Sequence, residues 1–367
     1  MKHLPHAAFV MFIVSKSLSQ ASASSNDCSL SVFRSGKTMV SVKLHNGQAF
    51  ISEPGASLLD SAKAAGITLE YSCRTGRCGV CKTNVLSGET EVIKGETSLT
   101  EEELAAGMIL TCCRRAVTDV EIDAEDIGAL GGIEVKTLPC RIDTITRLAG
   151  NVVQVILRVP PASKLQYLPG QYLDVIGEGG LRRSYSVANA PRDDGKLELQ
   201  IREVEQGAMS RYWFGGAKPN DLLRLEGPLG TFCLRDKKAS TLVFLATGTG
   251  IAPVKAILEQ LQGNPDLVTG KKIFVYWGGR AVTDFYWAPR LDELNAAFIP
   301  VLSRPDATWQ GRTGYVQAAL LDDGIDLTHA VVYACGSETM IHSAREALTS
   351  AGLPVKHFYS DAFVSSN

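Results

Sequence analysis

Three cysteines that could bind a metal cluster lie close together near the start of this sequence. Cys73, Cys78 and Cys81 follow a C-x4-C-x2-C spacing, which is the plant-type ligand spacing of a [2Fe–2S] cluster. Such a cluster needs a fourth thiolate, which either Cys112 or Cys113 could supply, and physical reasoning alone does not choose between them. Glycines between the three cysteines suit a loop that wraps closely around a cluster, because glycine has no side-chain bulk. The sequence therefore predicts an iron–sulfur site.

Two other uses of these cysteines define the alternatives. A non-enzymatic module could use the four thiols for structural zinc, but zinc sites usually take two separated C-x2-C pairs. A disulfide-stapled secreted protein is the second alternative, and clustering at ligand spacing fits a reducing compartment better. We expect the remaining cysteines to be small buried or incidental thiols; they are Cys28, Cys113, Cys140 and Cys233.

A glycine-rich turn in the last third of the chain could bind a nucleotide. It follows an apolar run and opens a predicted helix, whose exposed N–H groups and dipole favour a phosphate. The turn does not match G-x-G-x-x-G, so an ordinary tight turn is its alternative. Two more apolar runs end in glycine-rich loops, which would meet the first at one edge of a parallel sheet, where ligands bind. The candidate residues are Gly248, Thr249, Gly250, Pro253, Gly278, Gly279, Arg280, Cys335 and Gly336.

Between these two regions, a short strand pattern carries groups that suit a flavin nucleotide. Arg183 and Tyr185 would point to one face of the strand, and Ser184 and Ser186 to the other. An arginine can pair with a phosphate, and a tyrosine ring can stack on a flavin. The alternative is a surface arginine beside a tyrosine in the wall of a barrel.

The elements that would position the cysteines make a small mixed sheet around one helix. Alternating apolar residues predict a hairpin, and Ser57 and Gly66 should begin and end a helix. Thr100 and Glu103 form a capping box at the start of a short second helix. The predicted strands are Val40–Leu44, Ala49–Ser52, Lys82–Leu86, Ile109–Cys112 and Val117–Ile122.

The pattern changes twice after this sheet. Six period-two segments without a long helix predict a closed antiparallel barrel; they are Arg141–Thr146, Val152–Val159, Tyr172–Ile176, Ser184–Ala188, Leu197–Val204 and Leu222–Leu225. Apolar strands then alternate with helices, which predicts a parallel sheet covered on both faces. Its strands are Thr241–Ala246, Lys272–Trp277 and Ala330–Cys335, and its helices are Pro253–Leu261 and Thr339–Thr349.

Chain length indicates several domains, and net charge argues against two classes of partner. A chain of 367 residues suggests two or three domains. A net charge of −2 provides no positive field for nucleic acid or an anionic membrane surface, so we expect neither partner. The predicted ranges are an extension over 1–38 that is expected to be disordered, a cluster domain over 39–127, a linker over 128–136, a flavin domain over 137–234 and a nicotinamide dinucleotide domain over 235–367.

The N-terminal extension leaves localisation open between two predictions. Its apolar run Ala7–Val14 is near the lower limit for a signal peptide and too short to span a bilayer. We expect a cytoplasmic protein with a dispensable extension, and export is the alternative. The sequence indicates no oligomeric state.

These motifs, in this order, resemble the ferredoxin–NADP⁺ reductase superfamily, in the subtype with a plant-type ferredoxin fused at the N-terminus. The resemblance covers about residues 39–364 and is carried by Cys73–Cys81, Arg183–Ser186, Gly248–Pro253 and Tyr333–Gly336. It implies a β-grasp [2Fe–2S] ferredoxin domain, a six-stranded antiparallel β-barrel flavin domain and an α/β parallel-sheet nicotinamide dinucleotide domain. Three further segments resemble the members that serve 3,6-dideoxysugar biosynthesis; they are Leu110–Cys113, Thr137–Asp143 and Phe358–Val364.

The resemblance also implies roles for individual residues. It selects Cys112 as the fourth cluster ligand. It places Arg183 on the flavin pyrophosphate, Tyr185 beside the isoalloxazine and the Ser186 hydroxyl near flavin N5. Gly207 and Ser210 match a second phosphate segment, and Phe363 matches an aromatic that covers the flavin.

The nicotinamide side follows from the same resemblance. The turn Gly248–Gly250 matches the dinucleotide loop, and Cys335 matches a cysteine beside the nicotinamide where hydride crosses. Ser303 and Arg304 stand where NADPH-using relatives contact the 2′-phosphate, but the matching Lys-Tyr pair is missing downstream. We therefore expect NADH, with NADPH as the open alternative.

The implied cofactors form one electron path. A nicotinamide gives two electrons as hydride and an iron–sulfur cluster takes them singly, so FAD, which can do both, must lie between them. The expected enzyme is an NAD(P)H-dependent iron–sulfur flavoprotein oxidoreductase with a separate electron-accepting protein as its partner. That partner is a pyridoxamine-phosphate-dependent dehydrase acting on a CDP-sugar or, alternatively, a ring-hydroxylating or other oxygenase. We expect the partner to dock on the rim of the cysteine loop, at Arg74 and Arg77.

Overall fold

The first sheet of the protein is a mixed sheet that holds one helix, as predicted. The computed structural model describes residues 39–235, 238–291 and 294–363, so the predicted extension over 1–38 lies outside the described residues. The elements are β1 (Val40–Leu44), β2 (Ala49–Ser52), α1 (Leu58–Ala64), β3 (Lys82–Ser87), β4 (Thr90–Val92), α2 (Glu101–Ala105), β5 (Met108–Leu110), β6 (Arg114–Ala116) and β7 (Val120–Ile122). We call the sheet β2-β1-β7-β3-β5 the N-terminal sheet; β1 and β7 are parallel, its other neighbours are antiparallel, and β4 and β6 form a separate ribbon.

Local sequence signals explain both helices of this region. The Ser57 hydroxyl accepts a hydrogen bond from the Asp60 N–H at 3.0 Å and caps α1. Leu58, Leu59 and Ala62 are buried in the core of the sheet. Both hydrogen bonds of the predicted capping box are present at the start of α2. The hydrophobic face of α1 therefore supplies the packing that holds the sheet together.

The predicted strands around Cys112 are wrong in their bounds. The strand predicted over Ile109–Cys112 ends at Leu110, and residues 111–113 form a turn. The strand predicted over Val117–Ile122 is shortened to β7, and β6 lies before it. The physical reason is the cysteine loop, because the turn lets the Cys112 sulfur come within 3.3 Å of the Cys81 sulfur.

The apolar segment after the N-terminal sheet, which overlaps the predicted linker over 128–136, packs against the rest of the protein. Ile127 and Leu130 are buried against Cys233, and residues 128–130 make a single 3₁₀ turn. The next strand starts at Lys136, so the end of the predicted linker belongs to the barrel. Burying its apolar side chains explains why this glycine-rich segment is ordered. The division of the chain into domain ranges stays a prediction.

Six antiparallel strands form a closed barrel in the middle of the chain. They are β8 (Lys136–Ala149), β9 (Val152–Arg158), β10 (Tyr172–Ile176), β11 (Arg182–Ser186), β12 (Leu197–Arg202) and β13 (Leu222–Leu229), in the order β11-β10-β13-β8-β9-β12. An isolated bridge between Val187 and Leu199 and a 2.8 Å hydrogen bond from Ala188 N to Glu198 O close the barrel. A short helix, α3 (Ala208–Arg211), continues into one π-helical turn over Tyr212–Gly216.

The last third of the chain is a six-stranded parallel sheet with helices on both faces. Its elements are β14 (Thr241–Thr247), α4 (Ile251–Gln262), β15 (Lys272–Gly279), β16 (Ala296–Leu302), β17 (Arg312–Thr313), α5 (Val316–Asp322), β18 (Ala330–Ser337), α6 (Glu338–Ser350) and β19 (Phe358–Phe363). The order is β17-β16-β15-β14-β18-β19, with α4 packed on one face and α5 and α6 on the other. The strand order reverses between β14 and β18, so the loops after these two strands flank the crevice where such sheets bind ligands. None of the described helices is long and apolar enough to cross a membrane.

Candidate active site where the three sheets meet

The predicted cluster ligands converge in the loop between α1 and β3 and in the turn after β5. The Cys81 and Cys112 sulfurs are 3.3 Å apart. Cys73 and Cys78 form a second pair, in which each backbone N–H donates to the sulfur of the other residue, at 3.4 and 3.5 Å. Gly76 has a φ of +80°, and a Cβ there would lie 2.1 Å from the Gly95 oxygen. Only glycine fits this position, so the tight loop depends on it.

The ionisation of the four thiols follows the same two pairs. A hydrogen bond with the neighbouring Cys78 thiol lowers the pKa of Cys73, and one with the Cys81 thiol lowers the pKa of Cys112. The pKa values of Cys78 and Cys81 are raised, because each shares its proton with its partner's sulfur and is also buried. Each pair thus has one thiol that readily becomes a thiolate, the form that binds metal.

Two pairs of thiols fit a two-iron cluster, in which each iron takes two protein ligands. Within the described ranges, no three or more His, Cys, Asp or Glu side chains are grouped to hold a single metal ion. The Cys113 sulfur instead approaches the Gly95 oxygen at 3.4 Å, although it is also 3.5 Å from the Cys112 sulfur. Because the Cys112 sulfur contacts Cys81 and the Cys113 sulfur contacts a backbone oxygen, this arrangement favours Cys112 as the fourth ligand.

A cavity of about 1160 Å³ lies where the N-terminal sheet, the barrel and the parallel sheet meet. The cysteine loop contributes Cys73, Thr75 and Arg77 to its wall. The predicted flavin and nucleotide residues in the wall are Ser184, Tyr185, Ser186, Gly248, Thr249, Gly278, Gly279, Arg280 and Phe363. One space is therefore bordered by the predicted sites for all three cofactors.

Strand β11 presents its predicted residues in different ways. The Tyr185 hydroxyl accepts a 2.9 Å hydrogen bond from Trp213 Nε1, and burial raises the pKa of Tyr185 to about 12. Ser186 is buried, and its hydroxyl has no hydrogen bond of regular geometry within the described part of the chain. Arg183 does not line the cavity and donates to the Arg182 carbonyl. Buried hydroxyls normally form a hydrogen bond. The Ser186 hydroxyl is therefore available to form one with a bound flavin.

The second predicted phosphate segment lies just outside the cavity wall. Gly207 is the N-cap of α3, and the Ser210 hydroxyl accepts a 2.8 Å hydrogen bond from the Val204 N–H. Val204 itself lines the cavity. Ser210 therefore holds the segment in place from behind, and its predicted contact with a phosphate stays a prediction.

On the nucleotide side, the turn after β14 packs directly against β18. A Cβ at Gly250 would lie 2.1 Å from the Cys335 oxygen, so glycine is required for this close approach. Pro253 is buried in the first turn of α4, where a missing amide donor is tolerated. The side of the loop that borders the cavity is thus formed by Gly248 and Thr249.

Cys335 and Gly336 lie behind the cavity wall. Cys335 is completely buried, and burial raises the pKa of its thiol. Neither residue belongs to the wall, whereas the next residue, Ser337, does. The predicted contact between Cys335 and a nicotinamide therefore requires the thiol to become exposed, and it stays a prediction.

Sequence reasoning missed a buried carboxylate in the cavity wall. Asp361, in β19, is 4% exposed and accepts a 2.6 Å hydrogen bond from the Ser72 hydroxyl. Burial raises the pKa of Asp361 to about 6, against the opposing effect of Ser72. The nearby Ser186 hydroxyl also lowers this pKa, but the two side chains form no hydrogen bond of regular geometry. An acidic residue inside an apolar C-terminal strand was the signal that could have revealed it.

Arginines lie in the cavity wall and on the rim of the cysteine loop. Arg202, at the end of β12, was not predicted; its guanidinium would lie 3.1 Å from a Cβ at Gly248. Arg77 lines the cavity, whereas Arg74 pairs with Asp60 and has a 40% exposed side chain. Docking of a partner at either arginine stays a prediction.

Comparison with known protein families agrees with this three-part site. Residues 43–117 match a 2Fe-2S iron-sulfur cluster binding domain, residues 139–233 an oxidoreductase FAD-binding domain and residues 244–346 an oxidoreductase NAD-binding domain. The predicted cofactors, an iron–sulfur cluster, FAD and NAD, are thus confirmed by the domain families.

Curated relatives and solved structures match along most of the chain. The CDP-6-deoxy-L-threo-D-glycero-4-hexulose-3-dehydrase reductase of Yersinia pestis is 44% identical over 89% of this chain and 99% of its own. Protein RfbI of Salmonella typhimurium is 40% identical over 87% of this chain and 94% of its own. The crystal structure of the Amycolatopsis cytochrome P450 reductase GcoB superposes with a TM-score of 0.68 at 28% identity, covering 89% of this chain and 99% of that one. This chain therefore belongs to the iron–sulfur flavoprotein reductases of the ferredoxin–NADP⁺ reductase superfamily.

Proposed function

We propose that this reductase passes electrons from NADH to a pyridoxamine-phosphate-dependent CDP-6-deoxyhexulose-3-dehydrase in 3,6-dideoxysugar biosynthesis. The observation that carries the electron path is the single cavity bordered by the cysteine loop, β11 and the nucleotide loops. The choice of acceptor rests on the 44% identity to the Yersinia pestis reductase, whose name specifies this dehydrase. In this account the sugar binds to the partner and does not contact the reductase.

The chain's own residues would bind and orient the cofactors around the cavity. When bound, FAD takes two electrons as a hydride and releases them singly, and the iron–sulfur cluster takes one at a time. The Ser186 hydroxyl would form a hydrogen bond with a flavin atom. Tyr185, whose hydroxyl is held by Trp213, would border the flavin ring. Cys73, Cys78, Cys81 and Cys112 would hold the cluster beside the same cavity.

The nucleotide loops support binding of a dinucleotide at the other end of the cavity. Backbone N–H groups at the start of α4 favour a phosphate, with Arg280 in the same wall. Ser303 lines the cavity, but its hydroxyl donates to the Gly279 carbonyl at 3.2 Å, and Arg304 is not in the wall. A 2′-phosphate would therefore lack the arginine expected there, which supports NADH as the preferred cofactor over NADPH.

Reconstitution tests the proposed acceptor. The purified reductase is mixed with the dehydrase and its CDP-sugar substrate, and NADH consumption and 3-deoxy product are measured. We expect product formation that depends on both proteins and on NADH. Reduction of flavin and cluster by NADH without any 3-deoxy product would refute the proposed acceptor while leaving the reductase activity intact.

An oxygenase is the second candidate partner, since the chain is 30% identical to a reductase component of the Comamonas terephthalate 1,2-dioxygenase over 88% of its length. A parallel reconstitution with a ring-hydroxylating oxygenase distinguishes the two candidates. Faster electron transfer to the oxygenase than to the dehydrase would favour this second function. We further propose a cytoplasmic location and the domain ranges given above. Neither proposal distinguishes between a dehydrase and an oxygenase as the partner.

A further inference from the structure

Ser72, the residue before the predicted ligand Cys73, is tied to both other sheets of the protein. It is 5% exposed. Its hydroxyl donates to Asp361 Oδ1 in β19 at 2.6 Å, and its carbonyl accepts from the Tyr172 hydroxyl in β10 at 2.7 Å. We call these two hydrogen bonds the Ser72 latch. The latch connects the cysteine loop to the parallel sheet and to the barrel at one residue.

The residue before Ser72 is held by a second set of contacts. The Tyr71 N–H donates to the Thr231 hydroxyl at 3.0 Å, and the Tyr71 carbonyl accepts from the Thr231 N–H at 3.2 Å. Thr231 follows β13 of the barrel and is 1% exposed. Two consecutive residues therefore fix the backbone that leads into Cys73. The position of Cys73 relative to the cavity is set by these contacts.

The hydroxyl of Ser72 donates to the buried carboxyl group of Asp361, which can carry a negative charge. Hydrogen bonds to a carboxylate are shorter and stronger than those between neutral groups. Asp361 lies in the cavity wall together with Ser186 and Phe363, and it pairs with Cys335 in the register of β18 and β19. Removing the Ser72 hydroxyl would leave a buried carboxyl oxygen without this donor, which is costly. The Ser72–Asp361 hydrogen bond thus ties the cysteine loop to β19 at a buried position.

We propose that Ser72 is a positioning residue that fixes the cysteine loop against the flavin cavity and so sets the rate of electron transfer from flavin to cluster. The inference rests on the proposed electron path from NADH through flavin to cluster. Each transfer oxidises the reduced flavin by one electron and reduces one ferric iron of the cluster to ferrous. The rate of such a transfer falls steeply with distance, so a loop that leaves its place slows this step without changing the reaction of the flavin with NADH.

The test compares Ser72→Ala and Ser72→Thr with the wild-type holoenzyme. Amide hydrogen exchange is measured over residues 70–78, and anaerobic stopped-flow absorbance follows flavin and cluster reduction by NADH separately. For Ser72→Ala we expect exchange about tenfold faster, from the loss of one hydrogen bond to a charged group. The rate of cluster reduction should fall relative to that of flavin reduction, and Ser72→Thr, which keeps the hydroxyl, should restore both values.

A matched control removes a buried serine hydroxyl that serves only the N-terminal sheet. The Ser61 hydroxyl accepts from the Glu53 N–H at 3.0 Å, and Ser61 is 1% exposed. Ser61→Ala should leave the ratio of the two reduction rates at its wild-type value. An equal fall in this ratio for Ser61→Ala and Ser72→Ala would overturn the positioning role, because it would indicate general destabilisation.

The remaining outcomes also decide the proposal. Unchanged exchange over residues 70–78, or wild-type cluster reduction in Ser72→Ala, overturns it. If Ser72→Ala does not retain the cluster, Tyr172→Phe replaces it, since this variant removes the donor to the Ser72 carbonyl; Tyr172 also lines the cavity, so the flavin content of the variant is measured alongside. A lower ratio of cluster to flavin reduction in Tyr172→Phe supports the latch, and an unchanged ratio refutes it. Failure of NADH to reduce the wild-type flavin would instead refute the electron path on which the inference rests.

Discussion

Replacing Gly250 by alanine tests the packing that places the nucleotide loop against β18. A Cβ at this position would lie 2.1 Å from the Cys335 oxygen, 2.6 Å from its carbonyl carbon and 3.0 Å from the Gly336 Cα. All three are backbone atoms, so no side chain can move aside, and the loop itself must shift away from the strand. Overpacking of this kind costs about 1–3 kcal/mol, and a backbone clash belongs at the upper end.

Gly263→Ala provides the matched control at the other end of α4. The nearest atom to a Cβ there is the Glu259 oxygen at 3.5 Å, which is an ordinary contact, and φ is −73°. We expect Gly250→Ala to lower the melting temperature by roughly 5–10 °C, and Gly263→Ala to leave it nearly unchanged. The measurement is differential scanning calorimetry of both holoproteins.

The same substitution should weaken nucleotide binding, because the loop carries Gly248 and Thr249 of the cavity wall. The KM for NADH should therefore rise in Gly250→Ala, while the flavin content stays at its wild-type value. Equal melting temperatures and equal KM values for Gly250→Ala and Gly263→Ala would refute the reasoning. A loss of flavin with an unchanged KM for NADH would indicate that the loop contacts the flavin and not the nicotinamide dinucleotide.

Four further substitutions test the cluster ligands, the flavin site and the cap of α2. Cys112→Ser should abolish iron and sulfide binding, whereas Cys113→Ser should retain both, because Cys112 is the residue whose sulfur pairs with Cys81. Ser186→Ala should slow flavin reduction by NADH about tenfold with little change in stability, since its buried hydroxyl has no regular protein partner in the described ranges. Thr100→Ala should lower the free energy of unfolding by about 1 kcal/mol through loss of the α2 cap, without changing electron transfer.

Each of these predictions has a contrary result that is readily measured. Full iron content in the Cys112→Ser protein, by metal and sulfide analysis, would move the fourth ligand to Cys113. A wild-type rate of flavin reduction in Ser186→Ala, by stopped flow, would remove the serine from the flavin site. Slower electron transfer in Thr100→Ala would mean that α2 does more than stabilise the N-terminal sheet.

The sequence predicted the elements whose patterns are local. Ser57 and Thr100 predicted the starts of their helices, because an N-cap acts within one helical turn. Both caps are present in the structure. The buried strand β14 was predicted from its continuous apolar run, since a central parallel strand is covered on both faces. The fold class, with a mixed sheet, an antiparallel barrel and a parallel sheet, is confirmed.

What sequence patterns missed depends on contacts between distant segments. The Cys81 and Cys112 sulfurs are 3.3 Å apart, and a turn therefore replaces the end of a predicted strand. No local sequence pattern predicts this turn. Asp361 contacts Ser72 across 289 residues of chain, so the local sequence could mark Asp361 as an unusual acidic residue but could not predict this contact. The complete burial of Cys335 behind the Gly250 turn likewise follows from packing alone.

The central claim is that electrons from NADH reach the iron–sulfur cluster only through the flavin. An anaerobic titration of the holoprotein with NADH, followed by absorbance for the flavin and electron paramagnetic resonance for the cluster, tests it directly. We predict flavin bleaching together with the signal of a reduced [2Fe–2S] cluster, and no cluster reduction in protein stripped of flavin. Flavin that NADH does not bleach, or a cluster that NADH reduces without flavin, would contradict the account.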